Sequence, residues 1–103
     1  MSRINQLLEF LATTPDDNFL KHALALEYIK AGNIKEAENM FMANLNHNPS
    51  YIATYYHLGK LLERDGRLSE AVSIYESGME YAKKAGDMHA FVELQAAHED
   101  LTD

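Results

Sequence analysis

Residue types that often carry chemistry occur in this chain, but their spacing does not form a catalytic or metal site. No two of the histidines stand four positions apart, the spacing that lets two imidazoles on one helix hold a metal. His89 and Glu93 have that spacing, and we interpret them as an exposed helical pair. Cysteine is absent, which excludes disulfides, thiolate catalysis and cysteine-based zinc sites. The sequence therefore predicts no enzyme activity, no metal and no cofactor. The five histidines are His22, His47, His57, His89 and His98.

Composition narrows the class of protein and of partner. The chain has 103 residues, a length typical of one domain, and 47% of them are hydrophobic, as in a folded protein. Lys and Arg number 9 against 16 Asp and Glu, a net charge of −7 that disfavours nucleic acid. After Arg3 the apolar residues are interrupted by polar ones, so we expect neither a signal peptide nor a membrane span. We expect a cytoplasmic protein with no membrane partner.

Apolar residues recur at helical spacing in six segments separated by turn residues. Ile4, Leu7, Leu8 and Leu11 predict an amphipathic first helix that ends before Pro15. A glycine follows the second, fourth and fifth segments and favours a left-handed residue at the end of each helix. The third helix is predicted to end before Pro49. The chain is therefore predicted to be all-α, and Leu68 is expected on the inward face of the fifth helix. The three glycines are Gly32, Gly66 and Gly86.

The helices repeat with a period of 34 residues. Five pairs of equal or similar residues are separated by that interval: Pro15 and Pro49, Leu24 and Leu58, Gly32 and Gly66, Ala37 and Ala71, and Phe41 and Tyr75. The second copy reads Tyr55-x2-Leu58-Gly59-x2-Leu62, followed by Ala71-x3-Tyr75. The first reads Lys21-x2-Leu24-Ala25-x2-Tyr28, followed by Ala37-x3-Phe41 and Pro49.

This pattern resembles the tetratricopeptide repeat family over nearly the whole chain. The resemblance implies a right-handed α-solenoid of antiparallel helix hairpins, with two full repeats flanked by half-repeat helices. We expect one domain over residues 1–103, comprising a half repeat at 1–15, repeats at 18–51 and 52–85, and a capping helix at 86–103. Small residues at Ala25, Ala37, Gly59 and Ala71 are expected where the two helices of a hairpin cross closely.

Three residues depart from the family pattern. Lys21 replaces a large apolar residue, Asn44 replaces the small residue expected at the counterpart of Gly78, and Lys83 replaces the closing proline of the second repeat. Without that proline, the fifth helix is predicted to continue to Gly86 and to shift the last helix out of strict register.

The resemblance also implies a concave groove, lined by the first helices of the hairpins, that binds a peptide or helix of a partner. Several positions predicted there are more apolar than a solvated surface requires, although scattered surface hydrophobes are the alternative. A lysine and asparagine clamp for acidic tails is not intact, because His22 and Leu26 stand where it needs polar or basic groups. The predicted partner-binding residues are Phe19, His22, Leu26, Ile29, Lys30, Ala53, Tyr56, Lys60, Glu63 and Arg64.

The alternative function is self-association. Aromatic and apolar residues of the fourth and sixth helices are expected to form a homodimer surface or to complete the stack between chains. The residues proposed for it are Tyr51, Tyr55, Tyr56, Met88, Phe91 and Val92.

Overall fold

Six α-helices make up the regular structure of the computed structural model, which describes residues 2–102; the terminal residues Met1 and Asp103 of the predicted domain lie outside that range. No strand occurs within residues 2–102, so the all-α prediction is confirmed. The helices are α1 (Arg3–Thr13), α2 (Asn18–Lys30), α3 (Ile34–His47), α4 (Ala53–Arg64), α5 (Leu68–Ala85) and α6 (Met88–Thr102).

Short polar side chains begin several of these helices. The Ser2 hydroxyl accepts a hydrogen bond from the Asn5 amide at 3.1 Å, and Asp17 accepts one from the Leu20 amide at 2.9 Å. Asp87 accepts from the Ala90 amide at 3.0 Å at the start of α6. Each bond satisfies an amide that has no partner inside its helix.

Glycines with positive φ end α2, α4 and α5, as the sequence predicts. Gly32, Gly66 and Gly86 have φ values of 82°, 78° and 71°. The amide of the next residue then turns back onto the last helical turn, as when Arg67 donates to the Leu62 carbonyl at 2.9 Å. A side chain in this left-handed conformation would be strained, which is why glycine stands at all three turns.

The prediction that α5 is longer than α3 is confirmed. α3 has 14 residues and ends before Pro49, whereas α5 has 18 and continues through Lys83 to Ala85. The predicted shift of α6 out of the 34-residue register is also observed. The buried residues of α6 are Leu94 and Ala97, and neither lies 34 positions after a buried Leu58 or Leu61 of α4.

The chain divides between Pro49 and Ser50 into two compact units. In the first unit, α2 packs against both α1 and α3. Its core includes Leu7, Leu24 and Phe41. Leu8, one of the apolar residues that predicted an amphipathic α1, is exposed, because consecutive helical residues point about 100° apart and Leu7 is the one that is buried.

In the second unit, α5 packs against α4 and α6. Both mid-helix glycines, Gly59 and Gly78, lie at close crossings, as predicted for Gly59. A Cβ on Gly59 would lie 2.2 Å from the Tyr75 ring, and one on Gly78 would lie 2.6 Å from the Tyr55 Cβ. The Tyr75 ring therefore fills space inside its own hairpin. Leu68, predicted to face inward, is exposed at the first position of α5.

Asn44 occupies the position that corresponds to Gly78, and it is fully buried. The Asn18 carboxamide, at the start of α2, donates to the Asn44 side-chain oxygen at 2.6 Å. Unit 1 therefore buries a polar side chain at the position where unit 2 has glycine, and a second carboxamide satisfies its hydrogen bond.

Candidate partner-binding surface

The predicted residues of the first unit form one stripe along α2. Phe19, His22, Leu26 and Ile29 are spaced by three, four and three residues, which places them on the same side of the helix. We call these four residues the α2 face. Phe19 is 65% exposed, and the other three are half-buried. The His22 ring lies 5.7 Å from the ring of Phe41, a contact that holds the imidazole against α3.

Lys30, also predicted to contact a partner, is paired within its own helix. Its Nζ lies 3.1 Å from the Glu27 carboxylate one turn earlier. The Lys30 side chain is highly exposed, so this ion pair contributes little to stability and is easily exchanged for another partner. Lys30 is thus an accessible cation beside the α2 face.

The corresponding stripe of the second unit is polar. Tyr56, Lys60 and Glu63 recur along α4, and Arg64 is exposed beside them. We call Tyr56, Lys60 and Glu63 the α4 face. The Lys60 Nζ lies 3.5 Å from the Glu63 Oε2 and 5.6 Å from the centre of the Tyr56 ring. Lys60 therefore contacts both of the other side chains of the α4 face.

Tyr75 supports the α4 face from inside the hairpin, a role that sequence reasoning missed. Its hydroxyl donates a hydrogen bond to the Glu63 Oε2. Burial, together with this bond, raises the pKa of Tyr75 above its usual range, so the phenol remains a proton donor. The sequence does contain a signal for this contact. In the first repeat, the positions of Tyr75 and Glu63 are occupied by Phe41 and Ile29, so the second repeat has both the hydroxyl and the carboxylate and the first repeat has neither.

Other titratable groups of the described residues include two separate histidine–carboxylate pairs. His98 lies 2.9 Å from Glu76, and His89 lies 3.8 Å from Glu93 with both side chains exposed. Burial lowers the pKa of His57 against the opposing effect of Glu93. Within residues 2–102, no three His, Cys, Asp or Glu side chains are grouped as metal ligands. Nor does any helix in that range have the length and apolar character needed to span a membrane.

Tyr55, one of the residues predicted to form the self-association surface, does not lie on the surface. Tyr55 is buried, and its ring stacks on Tyr81 at 5.8 Å between α4 and α5. It therefore cannot contribute to an exposed aromatic surface, because the neighbour of Gly78 must point into the hairpin. Met88 and Val92 of α6 are exposed, and Tyr51, Tyr56 and Phe91 are half-buried.

Comparisons with known proteins agree on one family. A family model described as Tetratricopeptide repeat matches residues 52–85. A TPR repeat-containing protein of Pseudomonas aeruginosa is 30% identical over 91 residues, covering 88% of this chain and 87% of that protein. Another TPR repeat-containing protein, from Methanocaldococcus jannaschii, is 42% identical over 48 residues. The matched segment is 47% of this chain but only 8% of that protein.

A solved structure extends the agreement to the fold. The crystal structure of a tetratricopeptide repeat domain protein from Salinibacter ruber superimposes with a TM-score of 0.80 at 38% identity. The match covers 84% of this chain and 96% of that one. The 34-residue period, the glycine-ended hairpins and these relatives lead to the same conclusion: this chain belongs to the tetratricopeptide repeat family.

Proposed function

We propose that this chain binds a peptide or helix of a protein partner through the α2 and α4 faces, without catalysing a reaction. Tetratricopeptide repeats in general act as protein interaction modules, because stacked hairpins present extended surfaces. The observation that carries the finer proposal is the α2 face: Phe19 is 65% exposed on the same stripe as Leu26 and Ile29. Exposed aromatic anchors of this kind supply much of the energy of protein interfaces.

The faces are small, and this limits the expected affinity. Association must first offset the lost translational and rotational freedom of the partner. With a few anchors in each unit, we expect a dissociation constant of about micromolar magnitude.

The test uses a double substitution on the α4 face. Tyr56→Ala with Lys60→Glu should abolish capture of the partner from the native host, detected by mass spectrometry, and leave the thermal melt unchanged. Lys83→Glu makes the same charge change at an exposed position of α5 and serves as the control. Equal capture by the double variant and the wild type would exclude the α4 face from binding.

Self-association through α6 is the second candidate. Met88 and Val92 stand one helical turn apart and are 59% and 57% exposed. Neighbouring apolar side chains of this exposure are typical of interfaces when they form a patch. Light scattering of the wild type and of Val92→Lys tests self-association. A concentration-dependent dimer that Val92→Lys dissociates would support it, and a wild-type protein that remains monomeric at high concentration would exclude it.

A further inference from the structure

The α4 face contains a connected set of polar contacts that begins in the hairpin core. Tyr75 is fully buried and donates to the Glu63 Oε2, and the Lys60 Nζ lies 3.5 Å from the same oxygen. The Lys60 side chain also lies over the Tyr56 ring. Glu63 and Lys60 remain 22% and 39% exposed, so a partner can reach both. The carboxylate and the ammonium thus lie side by side on an accessible surface.

Packing of the hairpin does not require these polar groups. In the first unit, the positions of Lys60, Glu63 and Tyr75 are held by Leu26, Ile29 and Phe41, and that hairpin also packs Phe41 at zero exposure. A buried hydroxyl is costly unless it is hydrogen-bonded, so Tyr75 is tolerated because Glu63 accepts a hydrogen bond from it. The second unit therefore has a polar feature that the repeat fold by itself does not explain.

Hydrogen-bonding capacity remains at both charged groups. The Tyr75 hydroxyl donates to the Glu63 Oε2, so this bond leaves the lone pairs of Oε1 available to a partner. The Lys60 ammonium has three N–H groups, and its described ion pair is with the same Oε2. The surface thus offers an acceptor and a donor next to each other with no net charge.

We propose that Lys60 and Glu63 bind the side-chain carboxamide of an asparagine or glutamine in the protein partner. The carboxamide NH2 donates to the Glu63 Oε1, its oxygen accepts from the Lys60 ammonium, and its planar face packs on the Tyr56 ring. This specificity rests on the proposed function, because it assigns the partner chemistry of the same surface.

Charge complementarity favours a carboxamide over the charged alternatives. A carboxylate from the partner would pair with Lys60 but would be repelled by Glu63. An ammonium or guanidinium would pair with Glu63 but would be repelled by Lys60. A carboxamide carries one donor group and one acceptor, and it satisfies both residues without a like-charge contact.

The experiment is a selection from a random-peptide phage library on the purified chain, followed by affinity measurement of synthetic peptides. We expect the wild type to enrich peptides with Asn or Gln at one position. Replacing that residue by Glu or Lys should weaken binding about tenfold, the effect of leaving one group without its hydrogen bond. Wild-type binders that prefer a charged residue at that position would overturn the proposal while leaving the proposed function intact.

Variants that copy the first unit provide the sharper comparison. Glu63→Ile with Tyr75→Phe leaves Lys60 alone, and the preferred residue should change from Gln to Glu. Lys60→Leu leaves Glu63 alone, and the preference should change from Gln to Lys or Arg; this single variant tests the proposal even if the double variant does not fold. An unchanged preference in a folded variant overturns the proposal. Selected peptides whose binding is unaffected by Tyr56→Ala with Lys60→Glu would exclude the α4 face and overturn the carboxamide proposal. A selection that yields no peptides would overturn the proposed function as well.

Discussion

Gly78→Ala should destabilise the second unit, even though alanine is the better helix former. A Cβ added at Gly78 would lie 2.6 Å from the Tyr55 Cβ, 2.9 Å from the Tyr55 Cγ and 3.0 Å from the Leu94 Cδ1. Carbon atoms in contact are normally about 3.5–4.0 Å apart, so α5 must move away from α4 by about 1 Å. The Tyr55 Cβ is attached directly to the α4 backbone and cannot rotate out of the way.

The magnitude follows from two opposing effects. Overpacking a core lowers the free energy of unfolding by about 1–3 kcal/mol, and the higher helix propensity of alanine raises it by about 1 kcal/mol. We take the upper end of the first range because Tyr55 and Leu94 are both buried, and α5 is confined by α4 and α6 together. The expected loss is about 2 kcal/mol. For a domain of this size, that lowers the melting temperature by about 10 °C.

The assay is thermal and urea unfolding followed by circular dichroism, with Ser77→Ala as the matched control. Ser77 is exposed and adjacent on α5, so its replacement should change stability by no more than about 0.5 kcal/mol. If Gly78→Ala melts at or above the wild-type temperature while Ser77→Ala is neutral, the close crossing of α4 and α5 is not what keeps glycine at this position.

Three further predictions concern other packed positions. Ala71→Leu should lower the free energy of unfolding by about 1–3 kcal/mol in a thermal melt, because Ala71 is fully buried where α4 and α5 pack together. Asn18→Ala should cost about 1–2 kcal/mol in urea unfolding by removing a donor from the buried Asn44, whereas Asn39→Ala at an exposed site should be neutral. Burial, with Tyr81 nearby, raises the pKa of Tyr55 to about 12, so its ultraviolet titration should occur near that pH in the folded chain. The unfolded phenol ionises near pH 10, so the stability from Tyr55 is complete below pH 10 and is lost towards pH 12; a Tyr55→Phe variant with the same alkaline loss would contradict this.

Much of the fold could be predicted because local physics determines it. Glycine is the residue best suited to the left-handed end of α2 or α4, and the absence of proline at Lys83 leaves α5 free to continue. The side that each apolar residue faces was harder to predict. Leu7 and Leu8 are both leucines, and only the position of α2 decides which of them is buried.

The candidate surface was predicted less completely for a related reason. Periodicity identifies the residues on one side of α4, but not which of them are held from beneath. The hydrogen bond from Tyr75 joins residues twelve positions apart, and it depends on the distance between two helices that are in contact. Comparing the two repeats position by position would have pointed to it, because Glu63 and Tyr75 differ from their counterparts together.

That joint difference limits how the repeats can be recombined. Grafting α4 alone onto α3 would place the carboxylate of Glu63 near Phe41, which has no hydroxyl to donate. Grafting α2 alone onto α5 would leave the Tyr75 hydroxyl facing Ile29 and would force the Ala25 methyl against the Tyr75 ring, where the Gly59 Cβ position is only 2.2 Å away. In chimeras and in engineered arrays, the exchangeable module of this protein is therefore a whole hairpin, and transfer of a single helix should yield unstable products.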